Sequence, residues 1–350
     1  MPSLSVSLGF AIGLTFGVVG LISGFCLMSS LRDWWTANDG RKARSFAVAI
    51  AVAILGTQFL VGAGLVDIAK SLYLQSSFSV PVMFAGGVLF GIGMVLSNGC
   101  ASRALVLLGK GNLRSLVVIT MIGIAAQMTL KGLLAPARLA FIQWTQTTSS
   151  AVSLPDLLAT AGIDESAARI AVALIVSGAL LIFAFSDRQF RRTPLQIVAG
   201  ILVGLLVPAG WIATGWLGAD EFNPIPVTSL TFVSPLADSV QYVMLSTGMT
   251  LNFGIALVAG VLIGSAVTAV LTGRFQLEGY SSPSHMVRSI SGAALMGIGG
   301  AMAYGCSIGQ GLTGVSTLAL PSFVALAGIV AGAAVAIRRG AAVVPALATR

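Results

Sequence analysis

Apolar runs of about 20 residues recur along the chain, separated by short polar stretches, and each is long enough to cross a hydrocarbon core about 30 Å thick. The pattern predicts about nine membrane-spanning helices. The first runs from near Leu4 to Met28, contains Gly13-x-x-x-Gly17 and reaches Cys26; the second runs from near Phe46 to Val66. Pro81 opens the third, which ends at Cys100, and a short amphipathic piece, Ala101 to Gly109, leads to a fourth near Leu116 to Leu134. A polar interruption from Ala135 to Glu165 precedes the fifth, near Ala168 to Phe185. The sixth begins near Pro194 and carries Gly200-x-x-x-Gly204, and the seventh covers about Leu251 to Leu271. The eighth ends at Cys306, an uncharged Gly-, Ser- and Thr-rich stretch follows to Pro321, and the ninth ends at Arg338 and Arg339.

Charge sets the expected orientation. The turns after the first, third, fifth, seventh and ninth spans are basic, with Arg41, Lys110, Arg188 and Arg274 among them. Those after the second, sixth and eighth are nearly free of Lys and Arg, and the sixth is followed by Asp220, Glu221 and Asp238. Cytoplasmic loops carry the excess of Lys and Arg, which places the N-terminus outside and the C-terminus in the cytoplasm. The first apolar run lacks a basic leader and a small-residue cleavage site, so it reads as a retained span.

One stretch is written twice. Gly91-Ile-Gly-Met-Val-Leu-Ser-Asn-Gly-Cys100 is echoed, 206 positions later, by Gly297-Ile-Gly-Gly-Ala-Met-Ala-Tyr-Gly-Cys306. Gly13 and Gly17 echo at Gly200 and Gly204 with a shift of 187, which matches Cys26 to Ala213. With the alternation of loops, the third and eighth spans run in opposite directions, so the halves form an inverted repeat. The expected division is 1–150 for the first repeat, 151–193 for a central linker with the fifth span, and 194–350 for the second. Inverted repeats of broken helices belong to transporters, with the site where the breaks meet.

Composition narrows the chemistry. The chain is 56% hydrophobic and 9% charged, against about 25% charged in soluble domains. The net charge of +8 is spread over alternate loops rather than gathered with aromatics, so it reports topology and not nucleic acid. No phosphate-binding loop, dinucleotide fingerprint or Ser/His/Asp arrangement is present, and no Cys/His cluster has metal-ligand spacing, so neither a cofactor nor a metal is expected. Acidic residues are missing from the middle of every span, which argues against a conventional proton or sodium symporter. Three cysteines make no disulfide framework. Gly99 and Gly305 are expected to end helices in a left-handed conformation, leaving Cys100 and Cys306 where a new half-helix starts. Such an N-terminus favours an anion, and a thiol is a weak donor and a soft, polarizable neighbour suited to a ligand that carries sulfur. Cys26 lies outside both copies and borders the same cavity or packs in the core. Arg103 either holds an anion near Cys100 or is a topogenic charge.

The motifs S-N-G-C-A-S-R with L-G-x-G-N-L after it at residues 97–113, and Y-G-C-S-I-G-Q-G-L-T-G at 304–314, with one cysteine in the first span, resemble the YeeE/YedE family of bacterial inner-membrane sulfur-compound transporters. The resemblance covers essentially the whole chain. It implies an all-α polytopic fold of nine spans plus short half-helices, import of thiosulfate, and a path lined by Cys26, Cys100 and Cys306. It also implies that the sulfur passes by S–H···S hydrogen bonds while backbone N–H groups hold the oxygens, and that a TusA-like sulfur carrier waits on the cytoplasmic side. Ser97, Asn98, Gly99, Ser102 and Arg103 at one break and Gly305, Ser307 and Gln310 at the other are the expected ligand-contacting residues. Three readings follow: an importer of thiosulfate or a related sulfur or selenium anion, a membrane sulfurtransferase that hands persulfide sulfur to a carrier, or a channel or scaffold whose cysteines only pack.

Overall fold

A computed structural model describes residues 4–148, 151–160, 162–218 and 225–340; Asp220 and Glu221 lie outside them. The first half contains α1 (Leu4–Ser23), α2 (Leu27–Ala37), α3 (Arg41–Gly62), α4 (Val80–Leu96), α5 (Ala101–Gly109) and α6 (Leu113–Leu130). The polar interruption folds as α7 (Ala135–Thr145) and α8 (Leu154–Ala159), with β2 (Thr147–Thr148) paired antiparallel to β1 (Ser77–Phe78). After α9 (Glu165–Phe185) and the short α10 (Arg188–Arg191) come α11 (Pro194–Gly215), α12 (Val233–Met244), α13 (Phe253–Leu271), α14 (Pro283–Met302) and α15 (Leu320–Arg338).

The fold is an all-α polytopic membrane protein. Among the described residues, eight helical segments are long and apolar enough to cross, and two of these are broken, Leu4–Ala37 and Val80–Gly109. The ninth expected span, α14, is 20 residues long, about 30 Å at 1.5 Å per residue. His285, Arg288 and its serines and glycines make it less apolar than the other eight. It packs between α4 and α6. The stretch after it, expected as a loop, is instead interior: every residue from Gly305 to Ala319 is buried, and Gly309–Gly314 forms a π-helical turn.

Glycine stripes set the helix pairs. A side chain on Gly13 would overlap the Leu257 carbonyl oxygen, and one on Gly260 would overlap that of Phe10, so α1 and α13 run parallel in backbone contact. Gly200 and Gly204 face the Ser45 and Ala49 carbonyls in the same way, placing α11 parallel to α3. Gly91 on α4 and Gly332 on α15 make a third parallel seam. Lipid supplies no hydrophobic drive between helices, so close backbone packing of this kind holds them together.

The two copies of the repeated stretch cross antiparallel. On α4, Gly86 lies against Gly299 of α14 while Gly93 lies against Gly292. α1 and α11 are antiparallel too: Gln196 Nε2 donates to the Ser23 carbonyl at 3.0 Å, and Gly218 meets Ser5 at the other end. The 206-residue offset also reaches beyond the motif. It carries the end of α4 at Leu96 onto the end of α14 at Met302, and the start of α2 at Leu27 onto the start of α12 at Val233. The change of shift from 187 is absorbed between α11 and α12.

Substituting Gly13→Leu should force α1 from α13 and destabilise by about 1–3 kcal/mol, lowering the unfolding midpoint in detergent. Gly178 of α9, with nothing within 4 Å of its added methyl, should accept alanine with a gain of about 0.5–1 kcal/mol. Thermal unfolding of the two variants followed by size-exclusion fluorescence checks both.

Candidate functional site

Three helix breaks carry the three cysteines, and all are built alike. Gly24, Asn98 and Tyr304 have positive φ of 69°, 57° and 55°, and each precedes a cysteine by two positions. At the end of α4, Asn98 N–H donates to Val95 at 3.2 Å and Gly99 N–H to Met94 at 2.9 Å, the paired closure of a left-handed helix terminus. Gly305 N–H closes on Gly300 at 2.9 Å in the same manner. The left-handed residues are therefore Asn98 and Tyr304, one position before the expected Gly99 and Gly305. Asparagine tolerates that region because its short side chain finds local partners; at Tyr304 the closed terminus holds an aromatic residue there.

Each cysteine then starts the next helical piece. Cys26 caps α2 and Cys100 caps α5, while Gln310 N–H donates to the Cys306 carbonyl at 2.8 Å. Each sulfur faces the backbone N–H three residues on, of Ser29, Arg103 and Gly309. Only Gly309 closes a cap hydrogen bond to sulfur, at 3.3 Å; at Cys26 and Cys100 no side-chain cap bond forms. Cys306 also faces the backbone N–H of Phe232, which heads α12. Cys26 and Cys100 meet, Sγ to Sγ at 3.6 Å, and Ser102 Oγ lies 3.3 Å from Cys100. The three thiols are free and buried, at 2%, 0% and 1% exposure. Because α4 and α14 are antiparallel, the Cys26–Cys100 pair and Cys306 lie toward opposite ends of that crossing.

A cavity of about 550 Å³ reaches the Cys306 end. Tyr73, Thr231, Val233, Tyr304 and Gly305 line its depth, and Lys70 and Asp238 also border it. It lies at the end of the protein where α1 begins, away from Arg32, Lys42 and Arg44. Below it, Ser307 Oγ and Gln310 Oε1 are buried without a hydrogen-bond partner, while Gln310 Nε2 donates to the Ala303 carbonyl at 2.6 Å. An unpaired buried polar atom costs about 1–3 kcal/mol. The remaining expected residues are committed elsewhere. Ser97 Oγ donates to the Ser289 carbonyl at 3.1 Å, joining α4 to α14, and Arg103 Nη1 donates to the Gly20 carbonyl at 3.0 Å, joining α5 to the last turn of α1. Among the described residues no group of three or more His, Cys, Asp or Glu has the disposition of a metal site.

Against known proteins, the family described as "Sulphur transport" matches residues 22–335, from just before the Cys26 break to the end of α15. The chain belongs to that family. Two relatives named thiosulfate transporter TsuA align over nearly all of it. The one from Escherichia coli K12 is 24% identical over 342 residues, covering 93% of this chain and 91% of its own. The one from Spirochaeta thermophila is 26% identical over 331 residues, covering 91% and 93%. A probable transporter, YedE of Escherichia coli K12, is 28% identical over 99 residues, covering 28% of this chain and 22% of its own. Membership in the sulphur transport family makes this chain a transport protein rather than an enzyme.

Two participants in this family member's breaks escaped the sequence reading. At the offset of 206 the position matching Cys26 is Phe232, which precedes α12 as Cys26 precedes α2, whereas Ala213, matched at the shift of 187, is buried within α11. Extending the offset of the repeated motif backwards would have found it; the glycine pairs at a shift of 187 pointed elsewhere. The second is Arg32, whose Nη1 donates to Asn98 Oδ1 at 3.1 Å. An added Cβ at Gly99 would sit 3.5 Å from Arg103 Cγ, an ordinary contact, whereas at Gly305 it would sit 3.1 Å from Gln310 Cγ and 3.3 Å from Gln310 N. Gly99→Ala should therefore stay within about 0.5 kcal/mol of the parent. Gly305→Ala should lose about 1–2 kcal/mol, within the range of overpacked sites, as read by thermal unfolding in detergent.

Proposed function

We propose that this protein imports thiosulfate, or a closely related sulfur-containing anion, across the bacterial inner membrane through a path lined by Cys306, Cys26 and Cys100. The observation that carries the reading is the arrangement of the breaks: every cysteine heads a helical piece inside the apolar body, and a cavity reaches Gly305, the residue before one of them. Helix N-termini carry a partial positive charge and unpaired N–H groups, which suit an oxyanion. A thiol beside them offers S–H to a terminal sulfur, whereas a hydroxyl would favour oxygen. The same chemistry is offered twice, at Cys306 and at the Cys26–Cys100 pair, so the anion meets equivalent surroundings on both sides of the α4–α14 crossing. The names of the two long relatives supply the choice of thiosulfate.

The same packing supports an inverted repeat. The antiparallel crossing of α4 with α14 and of α1 with α11, together with the shared offset of element boundaries, is what two oppositely inserted halves would produce. With basic turns inside, the cavity is the outer vestibule, Cys306 is met first, and Cys26 and Cys100 follow toward the cytoplasm. Ser307 Oγ and Gln310 Oε1 are then polar atoms kept for the passing ligand or its water. The TusA-like sulfur carrier implied by the resemblance would receive sulfur at the basic face.

Uptake of sulfur-labelled thiosulfate into cells lacking other importers tests this. Wild type should accumulate label, and Cys26→Ser, Cys100→Ser and Cys306→Ser should each lose at least tenfold at matched expression. Uptake that survives all three changes would reduce the thiols to packing. Absence of uptake by the wild type would overturn the assignment of thiosulfate, and a persulfide mass shift with sulfite release would favour sulfur transfer instead.

A further inference from the structure

At the basic end, one side chain spans the two breaks that meet at Cys26 and Cys100. Arg32 lies on α2, the helix that Cys26 caps, and its Nη1 donates to Oδ1 of Asn98 at 3.1 Å. Asn98 is exposed and stands two positions before Cys100, whereas both thiols are buried. This hydrogen bond thus ties α2 to the α4–α5 break on the solvent side of the thiol pair. The other edge of the guanidinium is held by Asp33, with Nε and Nη2 donating to Oδ1 at 3.2 and 3.1 Å. Lys42 Nζ, 2.7 Å from Asp33 Oδ2, offsets that carboxylate's charge, so the Arg32 cation is not cancelled. Arg103, the other cation near the thiols, is occupied by the Gly20 carbonyl.

The opposite end offers a comparison within the same chain. The offset of 206 pairs Arg32 with Asp238 and Asn98 with Tyr304, and both counterparts border the outer cavity. There an acid stands in place of the base, and open space in place of a bridge. The two ends of the path are alike in backbone and unlike in charge: at the outer cavity Lys70 stands beside Asp67 and near Asp238, whereas at the basic end Arg32 keeps an uncancelled charge beside the break.

We propose that Arg32 receives the anion at the cytoplasmic end and that its hydrogen bond to Asn98 is the closure the anion displaces; this rests on the transport reading above. The exchange is chemically favourable. A guanidinium presents parallel N–H groups that match an oxyanion, and a charged acceptor binds it more strongly than an amide oxygen does. Asp33 keeps the side chain oriented while the Asn98 edge is released.

Two measurements separate the parts of this proposal. In inverted membrane vesicles, labelling of Cys26 and Cys100 by an impermeant methanethiosulfonate reagent is followed by peptide mass spectrometry. Asn98→Gly, which keeps the left-handed turn and removes the amide, should speed labelling at least fivefold; an unchanged rate overturns the closure. This readout does not depend on which solute is carried, so it stands even if thiosulfate is the wrong substrate. For thiosulfate uptake, Arg32→Gln should lower kcat about tenfold with KM measured from outside changed less than twofold, and Arg32→Lys should restore kcat to an intermediate value, about a third to three quarters of the wild type. Unchanged kcat, a loss confined to KM, or no rescue by lysine overturns the release role. Should Arg32→Gln not fold, Arg32→Lys alone decides: at its intermediate kcat the role stands, and at full or no activity it falls.

Discussion

Everything in this protein is constrained by the cost of an unpaired backbone group at membrane depth. An N–H or C=O without a partner in a hydrocarbon environment costs several kcal/mol, yet the chain interrupts its helices three times inside its apolar body. The C-terminal side of each break is closed: the left-handed turns at Asn98 and Tyr304 return Gly99 and Gly305 N–H groups to the preceding helix. The N-terminal side has no side-chain cap at Cys26 and Cys100, and at Cys306 only the 3.3 Å bond from Gly309 N–H to sulfur. Serine caps are used freely elsewhere, as at Ser79, Ser153 and Ser282, where hydroxyls satisfy the first-turn N–H groups. At the breaks a thiol takes the capping position instead, and it satisfies the backbone poorly. The donors that remain are the polarity the proposed path depends on, and solvation by a passing anion is what would complete them.

The breaks are tolerated because the scaffold around them is dense. Parallel glycine-to-carbonyl seams hold α1 to α13, α3 to α11 and α4 to α15, each with backbones in contact. With helices this close there is little room for the breaks to relax into ordinary helix. The polar interruption is fastened to the end of the buried 305–319 stretch: Leu154 N–H donates to the Leu318 carbonyl and Leu320 N–H to the Val152 carbonyl, at 3.0 and 2.9 Å.

Much of this was legible in the sequence because the relevant physics is local. Span length and apolarity gave the helices, and Ala101–Gly109 was read with the observed boundaries because an amphipathic piece between Cys100 and Lys110 has few alternatives. The breaks before Cys100 and Cys306 were legible from glycine next to cysteine, but the left-handed residue was misplaced by one. Glycine is the usual occupant of that conformation, and only the hydrogen-bond closure shows that it falls on Asn98 and Tyr304. A half-helix starting at Cys306 follows from the glycine before it, but nothing local says that all of the small residues from Gly305 to Ala319 face the interior. The meeting of Cys26 with Cys100, and the bond from Arg32 to Asn98, join residues more than sixty positions apart; such pairs follow from helix packing and leave no mark along the chain.

The seams also say something about how the chain must be made. The closest partner of α1 is α13, and that of α3 is α11, so these early helices complete their tightest packing on helices made much later. An early helix threaded into the bilayer waits, its glycine face unmatched, until most of the polypeptide has been synthesised. Assembly is therefore a late and collective event, and a ribosome that stalls midway leaves in the membrane a set of helices with exposed grooves and no mates.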